Sequence, residues 1–155
     1  MPDMIVNLYQ LPSNEENIKK LEEKGIRIVR ALSPDRHKVL NFVREEFGEG
    51  WASETSAAFS NNPVSCYIAV RDRKVLGFAC VEATAKDYFG PTGVTESERH
   101  QGIGLALLLA SLEGLKEMGY GYAIIGSAGP VHFYEKCCGA QVIEHDEPNV
   151  YSRLI

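Results

Sequence analysis

The sequence lacks the features that mark several large classes of protein. Its four cysteines, Cys66, Cys80, Cys137 and Cys138, have neither the density of a disulfide framework nor the spacing of a zinc site. Its four histidines show no metal or catalytic-triad spacing. No apolar run approaches the roughly 20 residues that cross a bilayer, and the first residues hold no basic segment of a secretion signal. We therefore expect reduced cysteines, a cytoplasmic location, no metal and no membrane partner.

Basic residues are scarce relative to acidic ones. The chain has 16 lysines and arginines against 21 aspartates and glutamates, for a net charge of -5. Nucleic acids and anionic membranes favour clustered positive charge, so we expect neither as a partner, whereas a cationic substrate is compatible. The length of 155 residues predicts one domain, 1–155, in which 1–25 form an N-terminal extension of a strand and a short helix. Monomer and homodimer both stay open.

The hydrophobic pattern predicts alternating strands and helices. We expect strands in "MIVNLY", "IRIVRAL", "YGYAIIG", "AQVIEH" and "VYSRLI", a hairpin in "SCYIAVRDRKVLGFACVEATA" with its turn at 72–74, and a strand in "DYFGPTGV" that glycine and proline interrupt with a bulge. Helices are expected over 13–25, with a capping box of Ser13 and Glu16, over 34–47, over 104–119 and in "PVHFYEKCC". "GEGWASETSAAFSNN" reads as a loop that leads into a short helix. This order predicts a mixed sheet with helices on both faces.

The segment "RHQGIGLALLLASLE", residues 99–113, changes from polar to strongly apolar at Gly102 and Gly104. The leucines after the glycines recur at three and four residues, so a helix begins there. A helix N-terminus offers free backbone N–H groups and a partial positive charge, and glycine lets an anion approach them. With Arg99 nearby to bind phosphate oxygens, the pattern predicts a phosphate cradle. A tight strand-to-helix turn is the alternative.

Two other phosphate-binding motifs do not fit this segment. The dinucleotide fingerprint needs a third glycine where this chain has Leu107, and an acidic residue after the next strand, "YAIIG", which has none. The nucleotide-triphosphate P-loop needs Gly-Lys-Ser/Thr, which does not follow. Both classes are therefore excluded.

Two ordered motifs resemble those of the GNAT superfamily of acyl-CoA-dependent N-acetyltransferases. "RHQGIGLALL" resembles the family's R/Q-x-x-G-x-G/A segment, and "HFYEKCCGA" resembles its downstream F-Y-E-K-x-G segment. The resemblance covers residues 66–145 and is looser before them. It implies a three-layer α/β fold with a mixed, mostly antiparallel central sheet flanked by helices.

The resemblance also implies acetyl-CoA as cosubstrate and a set of residues that bind it. The residues expected to bind the coenzyme are Gly93 and Val94 along the pantetheine arm, Arg99 and the amides of Gln101, Gly102, Ile103, Gly104 and Leu105 at the diphosphate, and Ser127 beside the pantetheine. Tyr134 takes the position of the general acid that protonates the departing thiolate. Two departures are the serine at 127, where the family often has asparagine, and one extra residue in "CCGA".

The acceptor side is less determined by the sequence. Glu82 is the first candidate for the base, because alternation along its strand places it on the face of Phe78 and Cys80, and Glu54 and Asp87 are the next candidates. Trp51 and Glu54 are the expected substrate contacts. The implied function is transfer of an acetyl group to a primary amine of a small molecule or peptide by direct transfer in a ternary complex. A non-catalytic coenzyme A-binding module is the alternative.

Overall fold

A computed structural model describes residues 1–155, in which seven strands form one sheet with helices on both sides. The strands are β1 Met4–Asn7, β2 Arg27–Arg30, β3 Cys66–Arg71, β4 Lys74–Val81, β5 Tyr88–Val94, β6 Tyr122–Ile125 and β7 Gln141–Val142. The helices are α1 Glu15–Glu23, α2 Arg36–Phe47, α3 Glu49–Phe59, α4 Ile103–Glu117 and α5 Val131–Cys138.

The strands lie in the order β2-β3-β4-β5-β6-β1-β7. All neighbouring strands are antiparallel except β5 and β6, which are parallel and are joined through α4. The predicted mixed, mostly antiparallel sheet with flanking helices is confirmed. β1 lies between β6 and β7, so the predicted strand of the N-terminal extension is an inner strand of the sheet.

Two hydrophobic cores cover the two faces of the central strands. Along β4, Ala79 and Val81 belong to the larger core with the leucines of α4, whereas Phe78 and Cys80 belong to the smaller core with α2 and α3. In α4, nine of the 15 residues are buried. Because each buried leucine contributes about 1.5–3 kcal/mol, the start of α4 has a fixed position relative to β4 and β5.

Four local predictions differ from the structure. The segment "GEGWASE" is helical, because α3 begins directly after Gly48, whose φ of 103° turns the chain. The capping box of Ser13 and Glu16 is absent, because α1 begins at Glu15 and its N-cap residue is Asn14. Ser13 Oγ accepts a hydrogen bond from Glu15 N at 3.3 Å instead. The hairpin turn is limited to Asp72 and Arg73, whose φ angles of 51° and 63° suit a two-residue turn.

The prediction of a last strand is also wrong. "VYSRLI" contains a 3-10 turn, Val150–Arg153, instead of a strand. The side chain of Asn149 accepts a hydrogen bond from Tyr151 N, and the side chain of Ser152 accepts one from Asn149 N. This reciprocal capping gives the backbone N–H groups of the turn hydrogen-bond partners within the turn, whereas a strand would need a neighbouring strand to supply them. None of the helices is long and apolar enough to span a bilayer.

Candidate active site

The two parallel strands at the centre of the sheet separate soon after they meet. β5 pairs with β6 only at Tyr88 and Phe89. Its pairing with β4 is irregular, since Phe89 to Thr92 on β5 face only Val81 to Ala79 on β4. The extra residue lies at Gly90-Pro91, where Gly90 has a φ of 121°. The predicted bulge is therefore present, and the edge of β5 beyond Phe89 is free on the β6 side.

A cleft occupies the space that the separation opens. Its inner cavity, of about 260 Å³, lies between β5, the end of β6 and α5, and the Tyr134 side chain lines it. An outer cavity of about 700 Å³ lies over the start of α4, where Arg99 and Gly102 line it. The two cavities share Gly93 and Gly104 among their lining residues, so they form one continuous cleft.

The start of α4 presents a row of unpaired donors to the outer cavity. The first hydrogen bond of the helix runs from Ala106 N to Gly102 O at 3.0 Å. The backbone N–H groups from Gln101 to Leu105 donate to no acceptor in the protein. No acidic side chain lies in the first turn of α4, so the partial positive charge of the helix end is not neutralised there.

Glycine is present at the two positions of this turn for different structural reasons. Gly102 has a φ of 94°, and a Cβ there would lie 2.3 Å from Asn17 Oδ1, so the fold itself requires glycine. At Gly104 a Cβ would lie 3.8 Å or more from any protein atom, against Val94 and Phe133. A tight turn therefore accounts for Gly102, but it does not account for Gly104, which lines both cavities.

Arg99 lies at the outer end of the cleft. Its Nε donates to Val94 O at 3.0 Å, and its side chain is exposed. The neighbouring acid, Glu98, is held by Arg71 Nη2 at 2.7 Å from Oε1 and 2.8 Å from Oε2. The negative charge of Glu98 is therefore paired with Arg71, and the guanidinium of Arg99 is a cation next to the turn without an acidic partner. The ammonium of Lys24 is a second one, since it donates to Gln101 Oε1 at 3.3 Å.

Tyr134 places a phenol at the wall of the inner cavity. It is 5% exposed, and its ring packs edge-on against Phe89 and Phe133 at centroid distances of 6.0 and 5.3 Å. Its hydroxyl forms no hydrogen bond with the protein, in contrast to the paired hydroxyls of Tyr120 and Tyr151. Burial, with a smaller effect of Cys138, raises the pKa of Tyr134 to about 12. The phenol is therefore protonated at neutral pH.

Ser127 lies on the loop that follows β6 and lines the same cavity as Tyr134. It has a φ of 49°, and its backbone N donates to the buried carboxylate of Asp3 at 2.8 Å. Its hydroxyl has no partner in the protein, and the residue lines the inner cavity. The N-terminal segment thus holds the loop in place.

Residues 26–140 match the family model described as Acetyltransferase (GNAT) family. The chain belongs to the GNAT acetyltransferase family. This match includes both motifs and extends the resemblance to the residues before 66, and acetyl-CoA is the acyl donor of the family. Among curated proteins, none matches the sequence.

Two solved structures share the GNAT fold of this chain. A glucosamine N-acetyltransferase region of a fungal multi-domain GH3 β-N-acetylglucosaminidase is 14% identical, with a TM-score of 0.75 over 92% of this chain and 19% of the other. A GCN5-related N-acetyltransferase from Sphaerobacter thermophilus is 22% identical, with a TM-score of 0.69 over 92% of this chain and 48% of the other. The chain thus spans less than half of the length of either protein.

The GNAT cleft of this chain is bordered on its other side by α3. Trp51 is 38% exposed, packs against Phe47 at a centroid distance of 5.3 Å and lines both cavities. Glu54, one turn later, lines neither cavity. Its Oε2 accepts hydrogen bonds from Thr84 Oγ1 at 2.5 Å and Tyr151 Oη at 3.3 Å. Of the two expected substrate contacts, only Trp51 borders the cleft directly.

Tyr151 is a residue of this region that the sequence did not indicate. Its ring lies next to Gly126, where a Cβ would be 3.1 Å from Tyr151 Cε2. Gly126 lines the inner cavity, so the C-terminal turn packs behind the cleft wall. The sequence pattern predicts a strand for this segment, and a strand pattern does not single out Tyr151 as a contact of the cleft wall.

Glu82 occupies a different place in this GNAT domain than the strand pattern predicts. β4 ends at Val81, and Glu82 has a φ of 58°, which breaks the alternation. Its carboxylate accepts a hydrogen bond from Tyr120 Oη at 3.1 Å and another from Asp87 N. It lines neither cavity. The expected position on the face of Phe78 and Cys80 is wrong.

Asp87 lies beside Glu82, away from both cavities. Burial, and then the negative charge of Glu82, raise the pKa of Asp87 to about 6. Its Oδ1 is buried without a hydrogen-bond partner. The structure has no group of three or more His, Cys, Asp or Glu side chains arranged to hold a metal ion.

Proposed function

We propose that the protein transfers an acetyl group from acetyl-CoA to the primary amine of a small molecule or peptide, directly within a ternary complex. One observation carries most of the proposal. A row of unpaired backbone N–H groups, 101–105, lies at one end of a continuous cleft, and an unpaired phenol, Tyr134, lies at the other end. The first suits an anionic carrier, and the second suits a departing thiolate.

The diphosphate of the coenzyme is assigned to the start of α4. The N–H groups of Gln101 to Leu105 donate to its oxygens, and Arg99 adds a charge-assisted hydrogen bond. Each helix-end contact with an anion is worth about 0.3–1 kcal/mol when exposed, so the site depends on several contacts acting together. The absence of a Cβ at Gly104 allows the close approach.

The pantetheine arm is assigned to the free edge of β5. Beyond Phe89 this strand has no partner on the β6 side, so its backbone groups are available to a ligand that carries amides. Such a ligand pairs like an added strand. Gly93 and Val94 line both cavities, and Ser127 offers a free hydroxyl in the inner one. A backbone N–H at the bulge would polarise the thioester carbonyl.

The chemistry then follows from the position of Tyr134. The neutral amine nitrogen attacks the thioester carbon, the C–N bond forms, and the C–S bond breaks as the tetrahedral intermediate collapses. Tyr134 donates its proton to the departing sulfur and regains one from the ammonium through water. The products are an amide and free coenzyme A. Because neither a carboxylate nor an imidazole lines the inner cavity, the net proton balance is maintained through solvent.

The acceptor is assigned to the side of the cleft bordered by Trp51. The exposed indole face suits a cation or a sugar ring. Glu54, three residues further along α3, is oriented by hydrogen bonds from Thr84 and Tyr151. We therefore propose a cationic or sugar-like amine. We also propose that residues 1–155 act as one unit, because β1 is an inner strand of the sheet.

The experiment is a thiol-release assay with acetyl-CoA and a panel of polyamines, amino sugars and peptides. The amide product is identified by mass spectrometry, and acetyl-CoA binding is measured in parallel by calorimetry. We expect binding together with turnover of at least one amine. Binding without acetylation of any amine would favour the non-catalytic coenzyme A-binding module. Absence of acetyl-CoA binding would contradict both functions.

A further inference from the structure

Helix α1 contacts the start of α4 through a matched pair of asparagines. Asn17 Nδ2 donates to Gly102 O at 2.9 Å. Asn14 Nδ2 donates to Ala106 O at 3.1 Å, one turn further along α4. Both bonds cross more than 80 positions of sequence, with separations of 85 and 92. Two side chains of one type thus bind neighbouring carbonyls of the same helix.

The carbonyl that Asn17 binds belongs to the peptide unit that faces the outer cavity. Gly102 O accepts two hydrogen bonds, from Ala106 N at 3.0 Å and from Asn17. In a trans peptide the C=O and the following N–H point in opposite directions. Fixing Gly102 O on the α1 side therefore directs the N–H of Ile103 away from α1, into the row of unpaired donors.

The helix holds this peptide unit through one hydrogen bond only, from Ala106 N to Gly102 O, because the N–H of Ile103 has no acceptor. Gly102 is in the left-handed region, with a φ of 94°, where glycine has wide conformational freedom. It has no side chain that could hold it by packing. The contact with Asn17 is close, since a Cβ on Gly102 would lie 2.3 Å from Asn17 Oδ1. Ala106 O lies within the regular helix, so its peptide unit is already fixed by the helix itself.

We propose that Asn17 is a positioning residue for the diphosphate site, through which α1 controls coenzyme affinity. This inference rests on the proposed function. Asn17 touches neither the thioester nor the acceptor; it holds the Gly102–Ile103 peptide unit so that the donors converge before the coenzyme arrives. Asn14 stabilises the same helix pair, but it has no effect on the donors.

The test compares Asn17→Ala and the isosteric Asn17→Leu with the matched variants Asn14→Ala and Asn14→Leu. Calorimetry measures coenzyme A binding, and competition against coenzyme A measures acetyl-pantetheine, which lacks the diphosphate. One orienting hydrogen bond is worth about threefold to tenfold in affinity. We expect both Asn17 variants to bind coenzyme A about that much more weakly and acetyl-pantetheine unchanged, whereas both Asn14 variants bind both ligands as the wild type does.

A purely structural role for Asn17 would give a different result. If Asn14 and Asn17 variants weaken coenzyme A binding equally, or if acetyl-pantetheine binding falls as much as coenzyme A binding, the proposal is overturned. Should the alanine variant not fold, the leucine variant, which keeps the side-chain volume, gives the same comparison. Failure of the unaltered protein to bind coenzyme A would instead be a failure of the proposed function, and it is seen before any variant is made.

Discussion

Tyr151 donates a hydrogen bond to Glu54 at 3.3 Å, although 97 positions separate the two residues. The bond joins the C-terminal turn to α3, the helix to which we assign the acceptor side of the cleft. The same carboxylate oxygen accepts from Thr84, so Glu54 is oriented from two directions and keeps Oε1 free of protein partners. A carboxylate held in this way can meet a cation without first losing side-chain entropy.

Removal of the Tyr151 hydroxyl therefore tests the acceptor side alone. We expect Tyr151→Phe to raise the KM for a cationic amine about threefold to tenfold, the value of one lost hydrogen bond. The KM for acetyl-CoA should stay unchanged in steady-state kinetics. The control is Tyr122→Phe, at a tyrosine that is 53% exposed on β6. Equal changes in both KM values would contradict an acceptor-specific role.

A side chain at Gly104 should exclude the coenzyme while leaving the fold intact. A Cβ there has 3.8 Å to its nearest protein atom, and larger groups extend into the cleft. We expect Gly104→Val to weaken coenzyme A binding at least about tenfold in calorimetry, because two or more contacts to the helix amides are lost.

Gly50→Ala provides the matched control for the Gly104 variant. Gly50 lies in α3 with no atom near its Cβ position. Alanine there should raise the free energy of unfolding by about 0.5–1 kcal/mol through helix propensity and leave coenzyme binding unchanged. Tight binding of coenzyme A by Gly104→Val would show that the diphosphate is bound elsewhere.

Tyr134→Phe should separate binding from chemistry. Loss of a general acid lowers turnover by about 10²–10⁴-fold, while the ring that packs on Phe89 and Phe133 is kept. Because the pKa of Tyr134 is about 12, the wild-type rate should rise with pH as the amine loses its proton and should not fall before about pH 10. A decline near neutral pH in the pH–rate profile would assign the acid to another group.

Asp87 should make the fold less stable as the pH rises. Its folded pKa of about 6 exceeds the ordinary value of 3.8, so the folded state binds the proton more tightly than the unfolded state. The stability from the protonated form is complete below about pH 4 and is lost as the pH rises through 6. Asp87→Asn should remove this dependence.

Thermal unfolding at several pH values measures the effect of Asp87. The melting temperature of Asp87→Asn relative to the wild type should increase between pH 4 and pH 7. Glu82→Gln removes the negative charge beside Asp87 and should lower the pKa of Asp87. The loss of stability between pH 4 and pH 7 should therefore be smaller in this variant than in the wild type. A constant difference across this range would mean that Asp87 titrates as an exposed carboxylate.

The parts of the fold and site that the sequence predicted correctly are local in sequence. The leucines of α4 and the two glycines at its start lie within a few residues of one another, and so do the residues of the bulge at Gly90-Pro91. Periodicity and turn chemistry act over such distances, so the helix start and the strand separation follow from them. Tyr134 was indicated by the short segment "HFYEKCCGA", in which it lies.

The parts that the sequence did not predict depend on contacts between distant segments. Asn17 and Tyr151 acquire their places from partners that no local pattern specifies, 85 and 97 residues away. Glu82 was misplaced because strand alternation was extended one residue beyond the end of β4, into a residue with φ of 58°. One left-handed residue is enough to reverse the direction of a side chain.

The central place of β1 has a consequence for how the molecule assembles. Residues 4–7 pair with 122–125 on one side and with 141–142 on the other. β1 must therefore wait until these partners, which lie far later in the sequence, have been synthesised, and its two edges stay open meanwhile. Closure of the sheet by β1 is expected to be a late step in folding, dominated by long-range contacts.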